Sequence, residues 1–280
     1  MKKRMLVAVL VAAALSAVVL SAQSVPGGMR YVMKMELQQV SGGEAQPANP
    51  MTAMVADTFK KMVLPEGAVE MEFVTDGQSV RTEMRGQMST LAKGSVVLYP
   101  AGQTDGYVLN PAEKTYYVLK TPQVPALAAG MTLPKPEISV KPSGTFETIV
   151  GRRAEKVNIS WRMPIPIPEG VEVPPGIPTE FSLDIENWCT TDLKMPASAM
   201  RLMGSVAQSM PGLGLDELAK ACPFALRSRM RMSILPGYEI LSTVTSAGDA
   251  SPSPDLFKLP AGYKEVPPPT PKMPGIGGQP

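Results

Sequence analysis

The chain has 280 residues, with 27 basic and 25 acidic side chains, two cysteines and no histidine. Without histidine it lacks the commonest general base, the commonest metal ligand and the usual nucleophilic triads. A formal net charge of +2 supplies no basic field that would favour nucleic acid or an anionic membrane surface as partner.

The chain opens with Lys2, Lys3 and Arg4, followed by an uncharged apolar run from Met5 to Leu20 and the small-x-small tripeptide Ala22-Gln23-Ser24. The apolar run is shorter than the roughly 20 residues a spanning helix needs. The pattern therefore predicts a secretory signal peptide over residues 1–24, cut after Ser24, with Ser21 as second choice. It carries three of the 27 basic residues and no acidic one, which leaves 24 against 25 in the remainder, net −1. No cysteine lies near the cut, so the expectation is an exported protein, periplasmic or extracellular, without a lipid anchor. In an oxidising compartment two cysteines are expected to pair, here Cys189 with Cys222. There is no C-x-x-C motif to suggest redox catalysis.

The first predicted strand lies in Gly28 to Val40, where Tyr31, Met33, Met35 and Leu37 alternate with Val32, Lys34, Glu36 and Gln38. Met51, Met54, Val55, Thr58, Phe59, Met62 and Val63 then recur at helical spacing, which predicts an amphipathic helix ending before Pro65. Gly67 to Arg85 reads as a hairpin: Val69, Met71 and Phe73, an Asp76-Gly77 turn, then Val80, Thr82 and Met84. Its glutamates and arginines are placed to pair across the wet face. Short β-rich runs follow at Ser95–Tyr99, Gly106–Leu109 and Lys114–Leu119, and the proline-rich stretch Thr121–Pro142 reads as an extended connection.

Strand pattern returns over Thr145 to Trp161 around a Gly151 turn, with a glycosylation sequon at Asn158 that a strand position disfavours. Met163 to Pro178 carries too many prolines to donate a full ladder. Phe181, Leu183 and Ile185 mark the next strand, which runs into Trp188 and Cys189. A second helical region is predicted from Pro196, with Met200, Met203, Val206, Ala207 and Met210 as its apolar stripe, and a shorter helix over Leu215–Ala221. From Leu226 the chain alternates strictly: Leu226, Ser228, Met230, Met232 and Ile234 on the dry side, Arg227, Arg229, Arg231 and Ser233 on the wet. Tyr238–Thr245 is the last expected strand, Asp255–Val266 closes the folded part, and residues 267–280 form a Pro/Gly tail expected to be disordered. Together these elements predict a single α+β domain over residues 25–266: a curved antiparallel sheet with helices packed on its concave face.

Several of these motifs occur in a recognisable order: YVMKMEL, GYVLN with KTYYVL, IVGRRAEKVNI, ENWCTTDL, CPFALRSR and the closing LFKLPAGYKEV. Their sequence resembles the secreted bacterial family of unknown function DUF4412, itself similar to the lipoprotein-carrier fold of LolA, LolB and LppX. The likeness is carried by Phe257, Pro260, Gly262 and Tyr263 at the end, by Gly151, Glu155 and Lys156 at mid-chain, and by Trp188. A cysteine common in the family shortly after the mid-chain glycine is Ala154 here, and here one follows the tryptophan instead. The resemblance implies an extracytoplasmic half-barrel, with an apolar cavity between sheet and helices, and carries over no catalytic residue or cofactor.

Methionine is adaptable and suits surfaces that accept varied apolar partners. The candidate lining of such a cavity is Met33, Met35, Met54, Phe59, Met62, Met71, Met84, Met200, Met203, Met230 and Met232, with a lipid, acyl chain or lipoprotein as ligand. The competing reading is that these residues fill a core poor in aromatic side chains, in a structural or protein-interaction module of the cell envelope. Three other readings are weaker. Met33-x-Met35 and Met230-x-Met232 resemble soft-metal motifs, but their spacing is also that of strand core positions. Arg227, Arg229 and Arg231, with Arg201, form a basic row that acidic neighbours would neutralise. Asp184 with Glu186, or Glu70 with Glu72, are paired acids on strand faces that meet water, so the protein is expected not to be an enzyme.

Overall fold

The computed structural model describes residues 28–40, 64–88, 91–103, 105–120, 136–164, 179–193, 221–233 and 235–269, together with Asp57 and Lys61. Twelve strands form one sheet: β1 Gly28–Gln39, β2 Ala68–Thr75, β3 Val80–Met84, β4 Val96–Tyr99, β5 Gly106–Asn110, β6 Thr115–Leu119, β7 Glu137–Ile149, β8 Arg152–Pro164, β9 Glu180–Cys189, β10 Ala225–Met232, β11 Tyr238–Ala250 and β12 Lys264–Glu265. Their spatial order is β12-β6-β5-β4-β3-β2-β1-β11-β10-β9-β8-β7. Two meanders, β1–β6 and β7–β11, are thus joined through the pairing of β1 with β11. Every pairing is antiparallel except that of β12 with β6.

The hairpins follow from local chemistry. In the β2–β3 turn the Asp76 carboxylate accepts from the backbone N–H of Gln78 and Ser79, at 2.8 and 2.6 Å, while Gly77 takes φ +88°. Val150 and Gly151 link β7 to β8 as a two-residue turn with φ +45° and +75°, the positive pair that matches the twist of a hairpin. A β-branched residue rarely adopts this region, so Val150 is strained there.

The expectation of helices packed on a concave face is overturned. Among the described residues the named elements are strands and one 3-10 turn, Pro254–Phe257, in one large open curved sheet. Helical periodicity at 51–63 and 196–221 states a local preference and cannot say what a segment covers. Those segments lie almost wholly outside the described residues. Asp57 and Lys61 are helical and joined by a 2.7 Å ion pair, and Ala221 is helical. Residues 1–27, over which the signal peptide is expected, 165–178 and 270–280 also lie outside them.

Two further differences concern strand ends. β7 begins at Glu137, inside the stretch that reads as a connection, and β11 runs on to Ala250. β7 pairs on one side alone among the described strands, and an edge strand tolerates Pro142 beside a register shift.

The closing segment packs on the outer side of the first meander. Phe257, from the 3-10 turn, is buried with Val74, Val96, Leu98 and Leu109, while Leu256, Leu259 and Tyr263 pack at the margin. β12 then pairs with β6. The Phe-Pro-Gly-Tyr motif therefore straps the outer face of β2–β6.

Candidate functional site

The opposite, inner face is a continuous apolar surface. Strand alternation brings Met33, Met71 and Met84 directly opposite one another across β1, β2 and β3. A second row runs Leu37, Ile240, Met230, Ile185 and Ile159 across β1, β11, β10, β9 and β8. Met232 stands opposite Leu183, and Leu183 opposite Trp161, whose ring meets Phe181 edge-on with centroids 5.5 Å apart. Met33, Met35, Met71, Met84, Met230 and Met232 are all buried in one cluster, so six of the sequence-predicted lining residues do share a surface. Met54, Phe59, Met62, Met200 and Met203 lie outside the described residues.

Beside the second row lies a third of different chemistry. Met35 stands opposite Ser242, Ser242 opposite Ser228, Ser228 opposite Asn187, and Asn187 opposite Val157. The three polar residues are 2%, 1% and 4% exposed, in that order. Among the described residues, Ser242 Oγ, Ser228 Oγ and Asn187 Oδ1 have no hydrogen-bond partner. Each such group carries a desolvation cost of about 1–3 kcal/mol, so the row is costly in an otherwise apolar face. Alternation in the sequence puts Ser228 on the dry side but does not single out Ser242 or Asn187. The available signal was a small polar residue at a dry position: between Leu226 and Met230, between Ile240 and Val244, and after Ile185.

Aromatic groups close parts of this face. The Tyr31 ring stacks on Phe73 at 4.5 Å and meets Phe224 edge-on at 5.3 Å. Burial pushes the Tyr31 phenol well above its usual range, and burial, with Tyr117 adding a smaller effect, pushes Tyr99 up to about 12. The disulfide between Cys189 and Cys222 is present, with Cα atoms 5.2 Å apart, and ties the end of β9 to the residue three before β10. Such a bond accords with an oxidising compartment.

On the outer face the arginine row is neutralised, as its acidic neighbours suggest. Arg227 pairs with Glu147 at 2.8 Å, Arg229 with Glu186 at 3.4 Å, and Arg231 with Glu239 at 3.0 Å. Glu239 is nearly buried and also faces Arg229 Nε at 3.2 Å, an ion pair without hydrogen-bond alignment. The candidate paired acids are held in the same way: Asp184 by Arg162 at 2.9 Å, Glu186 also by Lys156 at 3.1 Å, and Glu70 and Glu72 by Arg85 at 2.7 and 2.8 Å. Trp188 sits in this lattice, donating from Nε1 to Glu147 at 2.9 Å beneath Lys156 and Arg227. A shallow groove of about 250 Å³ runs over this side, lined by residues that include Lys141, Asn158, Asp184, Glu186 and Arg231. Its lining mixes charged and apolar residues, Ile159 and Ile185 among them, and includes none of the methionines. Among the described residues no group of three His, Cys, Asp or Glu side chains is placed to hold a metal ion, and no helix is long and apolar enough to cross a membrane.

Comparison with known proteins finds similarity to a solved structure and, over part of the chain, to a family model. The crystal structure of a LolA superfamily protein from Nitrosomonas europaea aligns over 83% of this chain and 90% of its own, at 8% identity and a TM-score of 0.31. No curated protein matches the chain's sequence. Residues 60–168, from before β2 to just past β8, match the family model described as a domain of unknown function, DUF4412, so the resemblance read from the motifs holds over the GYVLN, KTYYVL and IVGRRAEKVNI segments and that model does not extend to Trp188 or the closing Phe257–Tyr263 motif.

Proposed function

We propose that this is an exported, non-enzymatic protein of the cell envelope, periplasmic or extracellular and without a lipid anchor, that binds a hydrophobic ligand on the inner face of its sheet. The ligand class is an acyl chain, presented by a free lipid or by a lipoprotein. The observation that supports this reading is the one-sided apolar face on which six methionines from β1, β2, β3 and β10 lie together. Unbranched, polarizable methionine side chains repack around chains of varied shape at small cost, whereas a β-branched lining would fix one shape. The acids that would be needed for hydrolytic chemistry are engaged in ion pairs on the other face.

Native mass spectrometry of the mature protein purified from its host tests this. A lipid adduct that solvent extraction removes, with saturable binding of a fluorescent fatty acid by the stripped protein, is the expected result. A stripped protein that binds no acyl probe overturns it. That outcome would support the second reading, a structural or protein-interaction module with a filled core. Its own support is that Met33, Met71 and Met84 already oppose one another as ordinary cross-strand core pairs.

A further inference from the structure

The polar row across the inner face deepens the ligand-binding reading, and its role as a subsite rests on that reading. Ser242, Ser228 and Asn187 come from three adjacent strands and stand in register. They are flanked along their own strands by Ile240 and Val244, Leu226 and Met230, and Ile185, all buried. On the outer face, by contrast, Lys156, Arg162, Asp184, Glu186, Arg227, Arg229, Arg231 and Glu239 each have a partner within ion-pair distance. Three adjacent buried polar atoms without a partner among the described residues call for one from elsewhere. The atoms also specify what that is. Asn187 Oδ1 only accepts, so it calls for an N–H or O–H. The serine hydroxyls donate as well as accept, so they match a carbonyl or hydroxyl oxygen.

We infer that the row Ser242–Ser228–Asn187 is the polar subsite of the ligand face and selects an acyl chain whose polar end both donates and accepts hydrogen bonds, through an amide or a hydroxyl group. The chain's methylenes then lie along the apolar residues on either side, Ile240, Met230 and Ile185 on one and Val244 and Leu226 on the other, and its amide or hydroxyl sits over the serines. A plain hydrocarbon leaves the three atoms unpaired and binds without this gain. A site built to hydrogen-bond one group discriminates strongly against analogues that lack it, because its own buried polar atoms are then stranded.

The test is competition against a fluorescent fatty acid on the stripped mature protein, with three competitors of one chain length: N-methyldodecanamide, 1-dodecanol and dodecane. The first two separate an amide-linked from a hydroxylated source. Wild type is compared with Ser228→Ala/Ser242→Ala and with Ser228→Thr, which keeps a hydroxyl. The double variant is expected to lose at least tenfold in affinity for the amide, the alcohol or both, to keep its affinity for dodecane, and to melt at or above the wild-type temperature. Ser228→Thr retains most of the wild-type preference. If the double variant weakens all three competitors equally, or none, the subsite is refuted while ligand binding stands. A lower melting temperature of the stripped double variant, with unchanged preference, marks the hydroxyls as structural or water-bonded and also refutes it. If no competitor and no fatty acid binds wild type, the proposed function itself falls.

Discussion

Removing the disulfide is the perturbation whose size the fold fixes most directly. Cys189 ends β9 and Cys222 lies 33 residues further on, just before β10. β9 and β10 pair from Ala225 and Cys189 onward, so the bond closes the long excursion at the point where the ladder begins. In the chain-entropy model a loop of this length lowers the entropy of the unfolded chain by about 12–13 cal/mol/K, or ~3.7 kcal/mol at 25 °C. For a domain of this size that corresponds to a melting temperature lower by ~7–15 °C. Both sulfurs are buried, so replacing them by alanine adds a small packing loss; reduced wild type is the cleaner comparison. Urea melts of oxidised wild type, reduced wild type and Cys189→Ala/Cys222→Ala should show this loss in reduced wild type and a slightly larger one in the double variant. Their m-values should rise, because the unlinked chain exposes more surface when unfolded. Alkylation of the unreduced, denatured protein should label neither cysteine. A double variant within about 1 kcal/mol of oxidised wild type would refute the loop-closure argument.

Four other outcomes follow from the same structure. Glu239→Ala leaves Arg229 and Arg231 side by side without their shared carboxylate; since both arginines are partly exposed, the loss in a urea melt should be ~1–2 kcal/mol and should shrink in high salt. Phe257→Ala empties the centre of the outer cluster and should cost ~3 kcal/mol or free the closing segment, seen as early proteolysis near residues 254–266. Val150→Asn puts a residue suited to positive φ into the β7–β8 turn and should raise stability by ~0.5–1 kcal/mol, net of the apolar contact Val150 gives up. The tyrosines set an alkaline limit. With folded values raised above the ordinary 10.0, Tyr99 to about 12 and Tyr31 further, they stabilise the fold fully below pH 10 and lose that contribution as pH climbs through 10 to 12 and beyond. Absorbance at 295 nm should show Tyr99 ionising late, and Tyr31→Phe should stay folded to higher pH than wild type. Equal alkaline midpoints for the two proteins would contradict the burial argument.

Strand positions were legible because each strand has one wet and one dry side, and period-two alternation needs no knowledge of partners. Arg227, Arg229 and Arg231 read as a wet face and are one; Met33, Met35, Met71, Met84, Met230 and Met232 read as dry and share one cluster. The disulfide was legible from composition and compartment alone. The expectation of a covering helical layer had no such support. An amphipathic stripe over 51–63 says that a segment needs an apolar partner, and it names no face and no position. The closing motif shows the converse error. In the sequence Phe257 and Tyr263 read as a family mark, yet they cover the outer side of β2–β6, a side that sequence alternation alone would assign to water. Val74, Val96, Leu98 and Leu109 mark it, since they are apolar at positions where a one-sided sheet would be polar.

The row Ser242–Ser228–Asn187 was beyond any local pattern, because its members are scattered along the chain and only the ladder register makes them neighbours. That register also bears on the choice between a filled core and a ligand face. A filled core gains nothing from three adjacent unpaired polar atoms, and alanine or valine at these positions would pack as well without the desolvation cost. A core that used them for specificity would pair them with one another, as cross-strand serines readily do. Here they stand in line, unpaired among the described residues, between Ile240, Met230 and Ile185 on one side and Val244 and Leu226 on the other. An apolar face alone is equally compatible with both readings. The polar row favours the proposed ligand face, since an amphiphile would use the apolar rows and the unpaired atoms together.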